Sequence, residues 1–163
     1  MRDTGELRRA LAAYLRENGL EAVTAWSRER RTRPGRAVAA VSLRAMEGGA
    51  PGFQDYLGER YDPEREQWRE LYGKRVELTF GVDISAATAE EVQAGLDALG
   101  AALSRGGPAG LRSVGFSTGE TAYDPAAGRY ACPAQARFSA WMVAEAGEDG
   151  AFLDFEVKGE NKG

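Results

Sequence analysis

The sequence predicts an α+β fold: a largely antiparallel β-sheet with two amphipathic helices packed on one face, plus a projecting β-hairpin. Three observations carry this. Two segments place apolar residues at helical spacing behind a capping signal, one over residues 4–18 and one running from Thr88 to Gly106. Most of the remainder alternates apolar and polar residues with a period of two. Residues 53–73 are rich in aromatic side chains, dense in charge, and carry an Asp-Pro turn near their middle. A length of 163 residues suits one core and is tight for two, so 1–163 is expected to be a single domain.

In the first helix, Asp3 and Glu6 have the spacing of a capping box, and Leu7, Leu11, Tyr14 and Leu15 share a face with Ala10 beside them. Gly19 is placed to end it with a left-handed cap. A short strand is expected over Glu21–Trp26, then Pro34-Gly35 marks a turn and Ala37–Ala45 reads as a second strand. The run Gly48-Gly49-Ala50-Pro51-Gly52 is expected to break that strand. Residues 53–73 read as a projecting hairpin or ordered arm, with Tyr61-Asp62-Pro63-Glu64 as its turn.

Residues 75–84 form the clearest strand. Val76, Leu78, Phe80, Val82 and Ile84 alternate with polar or small residues, as a sheet covered on one side requires. In the second helix, Thr88 and Glu91 form a capping-box pair, Val92, Leu96, Leu99 and Leu103 form the apolar stripe, and Gly106-Gly107-Pro108 closes it. The last third reads as sheet. Leu111–Thr121 holds Val114 and Phe116 on one face, Tyr123–Gly128 is a second Asp-Pro turn, and Tyr130 to Met142 alternates again. Pro133 cannot donate a ladder hydrogen bond and points to an edge or bulge. Glu145–Gly150 is expected to turn into a last strand containing Leu153, Phe155 and Val157.

Composition narrows the chemistry. The chain has no histidine and one cysteine, so Ser-His-Asp and Cys-His constellations, an internal disulfide and multi-cysteine zinc sites are excluded. Cys132 falls on the inferred buried face and reads as a structural thiol. Glu90 and Glu91 occupy a helix first turn, where the dipole accounts for them. Gly106-Gly107 lacks the Lys-Ser/Thr of a phosphate loop. Asp83 and Glu77 share the polar face of one strand, with no further ligand beside them. No catalytic residue, cofactor or metal is expected. Apolar runs fall far short of 18 residues and the N-terminus opens on charge, so neither a membrane span nor an export signal is expected.

What remains points to contacts between macromolecules. Residues 1–75 carry 15 Lys+Arg against 12 Asp+Glu, a net of +3, while residues 76–163 carry 6 against 13, a net of −7. Such a protomer can complement a copy of itself. Arg28, Arg30, Arg31, Arg33 and Arg36 form the loudest polar signal, suited to an acidic protein surface or to phosphates. A net charge of −4 for the whole chain disfavours nucleic acid as the partner. Tyr56, Tyr61, Trp68 and Tyr72 are the candidate aromatic contacts of a subunit interface, where Tyr, Trp and Arg are favoured.

The order of phrases is informative beyond these local readings. The helix is followed by VAAVSLRAMEGGAPGFQDYLGERYDPE, QWRELYGKRVELTFGVDIS, a second helix, GETAYDPAAGRYACPAQARFSAWM and FLDFEVKG. From about Leu7 to Val157 this resembles the tail-completion proteins encoded among contractile-tail genes of prophages in Gram-positive bacteria, most of all the phage tail terminator group. The resemblance implies a structural role in a phage or phage-tail-like particle. A ring, usually of six subunits, would cap the head-proximal end of the tail tube, stop its polymerisation and dock the neck. Implied partners are further copies of the chain, the tail tube protein, and a neck or head–tail connector protein. The implied location is the virion tail, after assembly in the bacterial cytoplasm. A neck or head–tail joining protein of the same assembly is the alternative, and a nucleic-acid binding module using the arginine cluster is a further one. The resemblance supplies no catalytic residue.

Overall fold

Asp3 Oδ1 accepts a hydrogen bond from the Glu6 amide at 2.7 Å and so opens helix α1, Thr4–Glu17. At its end Gly19 takes a φ of 90°, and the Leu20 amide donates back to the Leu15 carbonyl at 2.9 Å, closing the left-handed cap that the glycine allows. The computed structural model describes residues 3–24, 36–49, 56–146 and 152–158. Trp26 and the run from Arg28 to Arg33 therefore lie outside the described residues, as do the Ala50-Pro51-Gly52 break and residues 147–150 of the expected turn.

Nine strands follow among the described residues, in one mostly antiparallel sheet. Strand β1 is Glu21–Val23 and runs parallel to β2, Val38–Gly49. The break expected at Gly48 does not occur there. Both Gly48 and Gly49 stay in the ladder, opposite Val76 and Arg75, because backbone pairing on that side is complete without side chains. Strand β3, Tyr56–Asp62, turns into β4, Gln67–Ala86. The expected hairpin return and the expected strand 75–84 are thus one continuous 20-residue strand.

Thr88 Oγ1 accepts from the Glu91 amide and opens helix α2, Ala89–Ser104. Strands β5 (Arg112–Thr118), β6 (Ala122–Asp124), β7 (Arg129–Cys132), β8 (Ala134–Ala146) and β9 (Phe152–Lys158) complete the sheet. Glu145 and Ala146 belong to β8 rather than to a turn, paired with Leu71 and Glu70. Pro133 marks the break between β7 and β8, and its carbonyl accepts from the Gly119 amide at 2.7 Å. β4 is the centre of the sheet, flanked by β2 and β3 on one side and by β7 and β8 on the other.

Both helices lie on one face. Leu7, Leu11 and Leu15 of α1 and Val92, Leu99 and Leu103 of α2 pack in one cluster with Val76, Leu78, Phe80, Val82 and Ile84 of β4. Phe80 meets Phe138 of β8 edge to face at 6.0 Å. Inside α2 the buried stripe includes Gly95 and Ala102, while Leu96 is only half-buried. In α1, Ala12 rather than Ala10 is buried. Val114 and Phe116 are 49% and 44% exposed, because β5 pairs only with β8 and a register shift interrupts it between Ser113 and Gly115.

The helical layer is shorter than the sheet. Every even-numbered residue of β4 from Trp68 to Ile84 shares a face, since the register to β8 runs unbroken. Burial under the helices begins at Val76. Before it, the same face carries Trp68, Glu70, Tyr72 and Lys74, and on β2 the exposed Met46 stands opposite Leu78.

Candidate interaction surface

The hairpin register brings four of the sequence candidates onto one face. Tyr56 stands opposite Tyr72 and Tyr61 opposite Trp68. Each pair is in ring contact, at 5.6 Å edge to face and 5.4 Å tilted. Trp68 is 68% exposed, and Tyr56 and Tyr61 are exposed as well. A bulge between Tyr56 and Gly58 keeps this alignment, with Gly58 at φ 128° supplying the conformation that a side chain would resist.

Between the aromatic pairs, Glu59 stands directly opposite Glu70. Like charges at that spacing repel. The Tyr72 hydroxyl donates to Glu70 at 2.6 Å, and that bond, with some desolvation, holds the Tyr72 pKa above the ordinary tyrosine value. Tyr56 is raised too, by desolvation and then by Glu59 and Glu70. The face is therefore aromatic at its ends and acidic at its middle. It suits a cation that lies on rings and meets carboxylates, which is the chemistry of an arginine.

The turn is held by Asp62. Its Oδ1 accepts from the amides of Glu64 and Arg65 at 3.0 and 3.4 Å, and its Oδ2 accepts from Arg69 Nε at 3.2 Å. Arg69 is buried on the face opposite the aromatics. Gly73 lets the hairpin join the sheet: a β-carbon there would run into the Met142 carbonyl oxygen and the Leu57 side chain.

The arginine candidates divide. Arg28, Arg30, Arg31 and Arg33 lie outside the described residues. Arg36 is exposed just ahead of β2, at the end of the sheet where Val38 pairs with Ser85. The hairpin turn is at the other end of β4. At about 3.3 Å per residue, the strand separates the two by about 60 Å. Arg36 and the hairpin aromatics therefore do not meet within one chain.

The face without helices is polar. Arg44 sits at a register shift in β2, lies across Gly81, and donates to both carboxylate oxygens of Asp83 at 2.7 and 2.6 Å. Glu77 faces Arg137 at 3.9 Å. Asp83 and Glu77 thus each have an arginine, and no metal-binding group of three or more acidic, Cys or His side chains exists among the described residues. Cys132 is buried, and its Sγ lies 3.3 Å from the Gly119 carbonyl oxygen. No described helix is long and apolar enough to cross a membrane.

Comparison with protein-family models and with curated proteins finds no match. The surfaces of the chain itself must carry the functional reading. Of these, composition pointed to the aromatics but not to Glu59, Glu70 or Met46. Their membership of the same face follows from register, and the only signal for it was the position of the Asp62-Pro63 turn.

Proposed function

We propose that this chain is a structural subunit of a phage tail or phage-tail-like particle, a tail terminator that closes into a ring through head-to-tail contacts. The observation that carries this reading is the aromatic and acidic hairpin face, which extends past the helical layer and is left exposed on the monomer. A complement in charge is Arg36, exposed at the opposite end of β4, which closes an arginine-rich stretch of the sequence. Unlike surfaces at opposite ends make a heterologous contact, which closes into a ring when the rotation per subunit divides a full turn. The resemblance noted in the sequence supplies the biological setting: a ring of six that caps the tube, halts its polymerisation and receives the neck.

The test is solution mass by light scattering across a concentration series, with negative-stain images of the same sample. A closed ring supports the reading. A strict monomer moves the test to a purified tail tube, where co-sedimentation with the tube end is the expected result. Binding to a portal-proximal ring instead of the tube would reassign the chain to the neck. Failure to associate with itself, with tubes and with connector rings would overturn the proposal.

A further inference from the structure

Arg129 of β7 is a buried guanidinium, only 9% exposed. Among the described residues its one hydrogen bond is from Nε to the Ser85 hydroxyl at 3.2 Å, and it forms no ion pair with any of them. Buried arginines are ordinarily neutralised, because a charge taken out of water without a counter-charge is costly. The natural counter-charge stands directly across the ladder, where Asp124 is the register partner of Arg129. Yet Asp124 Oδ1 accepts from the amides of Ala126 and Ala127 at 3.0 and 3.4 Å, holding the β6–β7 turn. The other nearby carboxylate, Asp83, is taken by Arg44.

These groups line a cleft of about 330 Å³ on the sheet face that has no helices, with Ala127, Ala131 and Pro133 supplying an apolar wall. Four formal charges surround it: Arg44 and Asp83 pair with each other, while Asp124 turns its Oδ1 to the amides of its own turn and forms no ion pair with Arg129. The cation left over is Arg129. We propose that this cleft binds a carboxylate, accepted by the Arg129 guanidinium, with a short apolar stem against the alanine and proline wall. Asp83 and Asp124 flank the position and repel a second negative charge, so a monoanion is preferred to a phosphate dianion. The carboxylate can come from a free small acid or from an Asp or Glu side chain of a second copy. The site stands independently of the tail-terminator reading.

The test follows the Arg129 Nε–H resonance in the full chain by nitrogen-15 NMR. Sodium propionate is titrated against sodium chloride and sodium phosphate at matched ionic strength. Saturable binding of propionate is expected, with Kd on the order of 1 mM, while chloride and phosphate leave the resonance unsaturated. Arg129→Gln removes that resonance, so in this variant the Ala131 backbone amide of the cleft wall is followed instead, and its response to propionate should be lost. Because that change disturbs a buried group, Asp124→Asn is the second variant. Asparagine keeps an oxygen for the turn but removes a repelling charge, so propionate should bind about threefold to tenfold more tightly, as expected for one charge at short range in a partly exposed site. A purely structural Arg129 predicts no tightening. Linear drift without saturation, or unchanged affinity in Asp124→Asn, would overturn the proposal. A resonance that moves with protein concentration alone, and is reversed by propionate, assigns the carboxylate to a second copy. A resonance indifferent to protein concentration assigns it to a free acid.

Discussion

Gly95 of α2 stands directly over Ala37: a β-carbon added to it would lie 2.7 Å from the Ala37 β-carbon and 3.0 Å from Ile84 Cγ2. The helix reaches the sheet this closely only because the residue has no side chain. Gly95→Ala therefore sets two effects against each other. Alanine gains about 1 kcal/mol of helix propensity, but overpacking costs about 1–3 kcal/mol. The neighbours are the sheet margin and a buried isoleucine, so the cost wins and a net loss of up to about 2 kcal/mol is expected. Gly100 is the control, since a β-carbon there meets only the Phe116 ring at an ordinary 3.5 Å. Gly100→Ala should gain the propensity and raise the urea midpoint. A matching rise in Gly95→Ala would refute the close-approach account.

The two Asp-Pro turns reach the same left-handed backbone at their last position with different residues. The second ends on Gly128 with φ 65°, and the first places Glu66 at φ 52°. A side chain in that region costs about 1–2 kcal/mol, and glycine gives back about 0.5–1 kcal/mol through its freer unfolded state. Glu66→Gly should stabilise the hairpin by about 0.5–1 kcal/mol. Hydrogen exchange of the β3 and β4 amides near the turn reads this directly, and faster exchange would contradict it.

The fold was legible where periodicity and capping agree. The capping pairs at Asp3 and Thr88, the apolar faces of β4 and α2, and the Asp-Pro turns all stand where the residue pattern places them. Three features were not legible, each for a reason of register or context. Gly48 and Gly49 remain in a strand because a neighbour on β4 supplies the pairing that their own propensity does not favour. Val114 and Phe116 stay exposed because an edge strand has no second neighbour to cover them. Arg129 carries no signal in the residue pattern, since it stands between Gly128 and Tyr130, five residues from the nearest aspartate. Only its burial, and the turn that occupies Asp124, make it a candidate site.

Asp62 gives the hairpin a pH dependence of definite sign. Desolvation opposes its ionisation. The Arg69 side chain and the amides of Glu64 and Arg65 outweigh that and hold its pKa below the ordinary carboxylate value. A depressed folded pKa means the contribution is fully present above the unfolded value of about 3.9 and is lost as pH falls through the folded one. Carbon-13 titration of the Asp62 carboxyl should give a midpoint under the ordinary value, with the Glu64 and Arg65 amides shifting along the same curve. A midpoint at or above about 3.9 would show that the Arg69 contact is not maintained in solution.

Trp68 separates folding from association. At 68% exposure its removal uncovers little core, so Trp68→Ser should change monomer stability by about 0.5 kcal/mol or less. If the hairpin face is the subunit contact, the same variant should weaken ring formation at least tenfold, as for a central aromatic anchor. Met46, exposed on the same face nearer the helices, should give a smaller effect when changed to Ser. Unaltered assembly in Trp68→Ser would move the contact elsewhere.

The continuity of β4 has a mechanical consequence. From Gln67 to Ala86 the backbone has no joint, and along most of that length it is bonded to a neighbour on each side. A pull on the hairpin tip along the strand loads many ladder bonds at once in shear, instead of opening them one at a time as a zipper would. The tip and the helix-covered half must then move together as a rigid spoke. A load taken up at one end is shared along the ladder toward the other, where β2 begins beside Arg36.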